Sequence, residues 1–188
     1  MRLFTAIELH SDVLLPLERL LSTLRPEALV KWSPLVNLHI TLKFIGEWPE
    51  QRLPELHEAL SGLDPCEPFE LTLKDLGWFP NERSPRVLWV GVRGGEPLRN
   101  FAAMIETHLE SLGIKREARE FSPHLTLARI KMPSSLRRLR EKVQELQPAN
   151  LGSFRVNNFT LFRSDPGSNA SIYRKLYEYN LESALAAS

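Results

Sequence analysis

NLHITLKF, residues 37–44, decides how this chain is read. Polar and apolar residues alternate along it, the period of a half-buried β-strand. His39, Thr41 and Lys43 fall on one face; Leu38, Ile40, Leu42 and Phe44 fall on the other and read as core. An ionisable ring and a hydroxyl two residues apart on such a strand need a reason. SPHLTLAR, residues 122–129, suggests one: a second His-x-Thr, His124 and Thr126, stands in a second apolar alternation 85 residues further on.

The same offset relates whole elements, as an internal repeat should. It lays LFTAI (3–7) on LWVGV (88–92), both strand-like. DVLLPLERLLSTL (12–24) falls on PLRNFAAMIETHL (97–109), each with apolar residues at helical spacing. EQRLPELHEALSGL (50–63) and SSLRRLREKVQEL (134–146) again match as helices, and FELTLKDL (69–76) matches FRVNNFTL (154–161) as strands. SIYRKLYEYNL (171–181) reads as a last strand. The chain therefore reads as one bilobal α+β domain over 1–188, with halves at about 1–85 and 86–170 and a C-terminal strand at 171–181. The expected architecture is two pseudo-symmetric lobes facing each other across a central cleft. Each is an antiparallel-rich sheet with helices on its outer face.

Bulk properties narrow the function. Lys and Arg number 24 against 23 Asp and Glu, a net charge of +1, so a general nucleic-acid coat is excluded and any anion site is a local cluster. Cys66 is the single cysteine, which rules out an internal disulfide and a cysteine-based zinc site. The opening MRLFTAIELHSD reaches Glu8 and His10 too early for a signal-peptide core, and no apolar run approaches the roughly 20 residues of a membrane span. These features lead us to expect a cytoplasmic, monomeric protein with no membrane contact.

Two imidazoles and two hydroxyls brought to one cleft suit one reaction class. Imidazole ionises near about pH 6.5, so one ring can take a proton from a nucleophile while its partner gives one to a leaving oxygen. The hydroxyls can hold non-bridging oxygens of a phosphate as charge builds there. In-line displacement at a phosphodiester needs an acid and a base on opposite sides of phosphorus, and it needs no metal or cofactor. His10, His57 and His108 have no such pairing and read as structural or solvated.

RLFTAIEL (2–9), NLHITLKFIGE (37–47), PRVLWVGV (85–92), FSPHLTLARI (121–130) and the tail pattern of Leu161, Phe162, Gly167 and Tyr173 together resemble the 2H phosphoesterases. Within them they are most similar to the bacterial and archaeal RNA 2′,3′-cyclic phosphodiesterases, long labelled 2′-5′ RNA ligases. The resemblance implies a bilobal fold with both motifs in a central cleft. It implies His39 as proton donor to the leaving ribose 3′ oxygen and His124 as proton acceptor for water, leaving an RNA end with a 2′-phosphate. Thr41 and Thr126 match the threonines that hold the phosphate. The implied partner is RNA with a 2′,3′-cyclic phosphate end, tRNA fragments included. A related cyclic or 2′-5′ phosphodiesterase or ligase, or a non-catalytic RNA-end-binding module, is the alternative.

Flanking residues give further expectations. Strict alternation turns Arg129 away from His124, and a bulge or the strand end could return it to a phosphate. Lys43 shares the His39 face and is expected at the cleft rim as a substrate-binding cation. Arg86 opens a strand toward the cleft, Trp32 and Trp78 lie in loop-like segments able to stack on a base, and Tyr173 belongs to the matched tail. The basic run SLRRLREK (135–142) reads as a solvated helix face, with a path for RNA as the other reading.

Overall fold

The structure is a computed structural model and describes residues 1–131, 136–168 and 170–182. Nine strands and four α-helices follow in the order β1 (Arg2–Glu8), α1 (Ser11–Leu24), β2 (Lys31–Trp32), β3 (His39–Glu47), α2 (Leu53–Ser61), β4 (Phe69–Phe79), β5 (Val87–Arg93), α3 (Gly95–Glu110), β6 (His124–Arg129), α4 (Arg137–Glu145), β7 (Asn150–Val156), β8 (Asn158–Asp165) and β9 (Ile172–Asn180). Helix α1 starts where the His10 side chain accepts a hydrogen bond from the Asp12 amide, and it buries Val13, Leu17, Leu20, Leu21 and Leu24. Four of those positions, moved by 85, are the buried Leu98, Ala102, Ile105 and Leu109 of α3. The buried stripes of the two helices thus coincide at the 85-residue offset. Among the described residues no helix is long and apolar enough to cross a membrane.

The strands form one antiparallel sheet in the order β7-β4-β5-β6-β3-β1-β8-β9, with β2 paired to the end of β6. Its two four-stranded halves are the two lobes. They meet between β3 and β6, where Ile40 pairs with Leu125. The lobes do not coincide with the sequence halves. Strand β4, from the first half, pairs with β5 and β7; strand β8, from the second half, pairs with β1 and β9. The helices exchange as well, α1 packing on β7 and α3 on β3. Each half therefore gives one helix and at least one strand to the other lobe, the first half adding the short β2, and neither half is a lobe alone.

One sequence expectation is divided by this topology. The single strand expected over 154–161 straddles β7 and β8, which part at Asn157. Each piece has its own partner, β4 for one and β1 for the other. The helix expected at 134–146 is observed over Arg137–Glu145, its first two positions lying outside the described residues.

A β-bulge overturns the expectation for Lys43 and Phe44. Thr5 of β1 lies opposite Lys43, yet the next residue, Ala6, lies opposite Thr41, so Leu42 is an extra residue in β3. An extra residue inverts the face of everything beyond it. Lys43 is carried away from His39 into the interior, where it is 2% exposed. Its Nζ donates to the Lys115 carbonyl oxygen at 2.7 Å, pairs with Glu106 of α3 at 2.7 Å and lies 3.9 Å from Glu117. Phe44, expected in the core, is turned out to the cleft side and is 54% exposed. The equivalent bulge stands in β6. Leu88 lies opposite Ala128 and Trp89 opposite Thr126, which makes Leu127 the extra residue, 85 positions after Leu42. Lys43→Ala should lower the unfolding free energy by about 3 kcal/mol, because it leaves the largely enclosed Glu106 carboxylate without its cation. Denaturant titration checks this, with Glu106→Gln in the same chain recovering part of the loss.

Candidate active site

A cleft of about 580 Å³ opens along the junction of the lobes, lined by His39, Thr41, His124 and Thr126 together. Four side chains from two strands meet here because strand alternation and one register act together. With Ile40 opposite Leu125, the positions that follow in an antiparallel pair set His39 beside Thr126 and Thr41 beside His124. Ile40 and Leu125 point the other way and are 0% exposed, so the same short segments form core beneath and site above.

Both histidines are held in the same manner. His39 Nδ1 donates to the Asn37 carbonyl oxygen at 2.7 Å, and His124 Nδ1 donates to the Ser122 carbonyl oxygen at 2.8 Å. A carbonyl only accepts, so each neutral ring carries its proton on Nδ1 and leaves the Nε2 lone pair free. Asn37 is itself tied down, its Nδ2 donating to the Ser171 carbonyl oxygen at 2.8 Å. That bond draws the segment before β9 against the first motif.

The walls are aromatic, and they differ between lobes. Phe4 stacks on Phe162 at 5.3 Å under His39, and the Tyr173 ring meets His39 edge-on at 5.1 Å. On the other side the Phe79 ring meets His124 edge-on at 4.9 Å and lies 5.2 Å from Trp89. Trp89 is the counterpart of Phe4, and Gly77 the counterpart of Phe162. A Cβ on Gly77 would come within 2.2 Å of the Trp89 ring, so the larger indole occupies the room that two phenyl rings share in the first lobe. Sequence reasoning missed Phe4, Phe79 and Phe162, although the 85-residue alignment of Phe4 with Trp89 carried the signal.

Burial lowers the pKa of both rings. For His39 the loss of water dominates, partly offset by its bond to Asn37, with the Arg129 and His124 charges adding to the lowering. For His124 burial again leads, opposed by the Ser122 bond and aided by Arg129. Arg129 therefore acts on both histidines. The Leu127 bulge returns it to the cleft, as the sequence allowed, and it lines the wall beside Lys31, Trp32 and Arg2. Trp32 lines the cleft with its Nε1 donating to the Ala28 carbonyl oxygen at 3.2 Å, whereas Trp78 packs against the core. Arg86 is outside the cleft lining, its Nη1 donating to the Lys131 carbonyl oxygen at 2.8 Å. His10 caps α1, while His57 and His108 lie in α2 and α3 away from the site. Among the described residues no three His, Cys, Asp or Glu side chains converge as metal ligands would.

The 2′-5′ RNA ligase superfamily matches the chain over residues 14–168. The RNA 2′,3′-cyclic phosphodiesterase of Aeropyrum pernix is 40% identical over 149 residues, covering 79% of this chain and 84% of its own. That of Methanothermobacter thermautotrophicus is 33% identical over 182 residues, covering 96% and 98%. Among solved structures, TT0787 of Thermus thermophilus superposes with a TM-score of 0.82 at 32% identity, covering 96% of this chain and 98% of that one. E. coli LigT complexed with 3′-AMP superposes with a TM-score of 0.75 at 28% identity, covering 95% and 97%.

The lowered pKa values have a defined sign in stability. As pH falls through about 6.5 the unfolded chain protonates these two histidines before the folded chain does, so stability is lost from there down to their lowered folded midpoints. Imidazole NMR titration should place both midpoints below the free value. The unfolding free energy of a His39→Gln, His124→Gln chain should fall less on acidification than that of the parent. Midpoints at or above the free value would contradict the assigned burial.

Proposed function

The chain belongs to the 2′-5′ RNA ligase superfamily, and we propose that it hydrolyses the 2′,3′-cyclic phosphodiester at an RNA 3′ end to a 2′-phosphomonoester. One observation carries the reading above the rest. Two histidines 85 residues apart, each with Nδ1–H bound to the carbonyl two residues before it, border one cleft together with two threonines. The names of the relatives, RNA 2′,3′-cyclic phosphodiesterases that match over most of their length, give the substrate class.

The reaction follows from the two free Nε2 atoms. His124 Nε2 accepts a proton from a water molecule as its oxygen attacks phosphorus. His39, protonated at Nε2, gives its proton to the ribose 3′ oxygen as the P–O3′ bond breaks. One P–O bond forms and one breaks, and the two rings exchange roles in protonation. Thr41 and Thr126 donate to the non-bridging oxygens, which gain charge in the transition state. Arg129 compensates that charge from the second lobe.

Without substrate both rings are neutral near pH 7, so the acid must gain its proton as substrate arrives. The diester anion supplies the reason, since a negative charge beside an imidazole favours its protonated form. It also masks Arg129, one of the charges that holds the ring pKa down. No step calls on a metal ion.

His39→Ala and His124→Ala should each reduce turnover of a nucleoside 2′,3′-cyclic phosphate by about 10²- to 10⁴-fold. Thr41→Ala and Thr126→Ala should each cost about 10²-fold. The rate should be bell-shaped in pH and indifferent to excess chelator. Near-parental turnover in either histidine variant, or a 3′-phosphate product, would sink the assignment.

A further inference from the structure

The cations around the cleft are distributed unequally. In the first lobe most are engaged, Arg2 in the cleft wall being an exception among the described residues. Arg163 and Arg174 both pair with Asp165, Lys175 with Glu8, and the N-terminal amine with Glu47. At the second-lobe end the arrangement is reversed. Arg129 and its strand neighbour Lys31 line the cleft, and Arg129 also lies opposite Val87. From Val87 the surface continues to Arg86, whose carbonyl oxygen accepts from the Ile130 amide at 2.8 Å and whose Nη1 donates to the Lys131 carbonyl oxygen at 2.8 Å. The same turn carries Arg83, whose carbonyl oxygen accepts from Arg140 Nη2 of α4 at 3.4 Å. Lys31, Arg83, Arg86, Arg129 and Lys131 are all exposed. Among the described residues none of these five forms an ion pair with a carboxylate. Glu82 is the acidic residue in this turn, and Glu27 and Glu141 beside it are taken up by Arg138 and Arg137.

We propose that this line of cations, from Arg129 and Lys31 in the cleft through Arg86 and Lys131 to Arg83, carries the RNA chain on the 5′ side of the reacting end. The proposal rests on the hydrolase reading of the cleft and extends it from the terminal nucleotide to the polymer. A cyclic phosphate at a 3′ end leaves one direction for the rest of the strand. That strand carries a negative charge per nucleotide and lies best along cations not already neutralised. The opposite exit presents Arg2 beside Glu47 and the Asp165 pairs, and so offers it less. The line has no arrangement for reading base edges, so the contact is to phosphate and indifferent to sequence. It also fits a protein of net charge +1: a local line of cations can hold a strand without a general basic coat.

The test uses the full chain and its Arg83→Glu, Lys131→Glu double variant, neither residue being part of the cleft. Binding of a labelled tetranucleotide ending in a 2′,3′-cyclic phosphate is measured by anisotropy across a salt series. Turnover of a mononucleoside 2′,3′-cyclic phosphate is measured beside it, with melting temperatures for both proteins. The expected result is roughly tenfold weaker tetranucleotide binding in the variant at low salt and a shallower salt dependence, with mononucleotide turnover and melting unchanged. Equal tetranucleotide binding by both proteins, while the mononucleotide is still turned over, overturns the track and leaves the hydrolase reading standing. Loss of tetranucleotide binding in the variant, when neither protein turns over the mononucleotide, supports the track and sinks the hydrolase reading.

Discussion

A β-strand offers one face to the core and one to its surroundings, and a single inserted residue exchanges them. Leu42 and Leu127 are such insertions, one in each strand at the lobe junction. Before the bulge, His39 and Thr41, like His124 and Thr126, face the cleft on strict alternation. After it, the residue three beyond each threonine faces the cleft as well, which without the bulge it could not. Phe44 and Arg129 are those residues. Each strand thus delivers three side chains to one site from a segment of six. The residue that would have occupied the cleft, Lys43 or Ala128, is buried behind it.

The burial behind the cleft has an electrostatic consequence. An ammonium group inside a protein must be paired, and Lys43 finds Glu106 on α3 and the Lys115 carbonyl in the chain that leads from α3 to the second motif. The strand carrying His39 is thereby fastened to the segment that runs into His124. Sheet pairing at Ile40 and Leu125 joins the motifs from the front, and the Lys43 cluster joins them from behind. The second lobe, with Ala128 at the matching position, is fastened differently. Ser33 donates from its Oγ to the Thr126 carbonyl oxygen and from its amide to the Leu127 carbonyl oxygen. Both motifs are held by unlike means, which fixes the two histidines relative to one another.

Much of this is legible in the sequence, and the failures share a cause. The 85-residue offset locates the paired elements, since each half must bury its own helix stripe and strand faces whatever its partner does. The motif residues are legible because two matched polar pairs on apolar strands have no packing explanation. Lys43 and Phe44 defeat a reading by alternation because a bulge is set by pairing with a neighbouring strand, here β1, and local alternation holds no trace of it. Arg129 stays open at the sequence level only because its likeness to a phosphate-binding residue conflicts with its parity. The division of 154–161 between β7 and β8 is hidden for a related reason: strand ends are fixed by partners, and those partners lie in different lobes. Exchange of β4 and β8 between lobes is a property of long-range pairing alone. A repeat seen in sequence tells which elements correspond, and leaves open which of them touch.

The near-symmetry of the frame makes its departures informative. A phosphodiester has a leaving side and an attacking side, so a site that opens one bond rather than the other cannot be symmetric in its action. His39, Thr41, His124 and Thr126 are related by the repeat and by themselves do not distinguish the sides. The first positions at which the cleft does so are those released by the bulges, an exposed phenyl ring in one lobe and a guanidinium in the other. Beyond them the asymmetry grows. Aromatic rings and mostly neutralised cations flank the first lobe's side, Arg2 apart, and a longer line of unpaired cations continues from the second among the described residues. An apolar face suits a base and a cationic one suits a backbone. On the proposed hydrolase reading, two single-residue insertions that turn unlike side chains into equivalent places set the polarity of the substrate in the cleft.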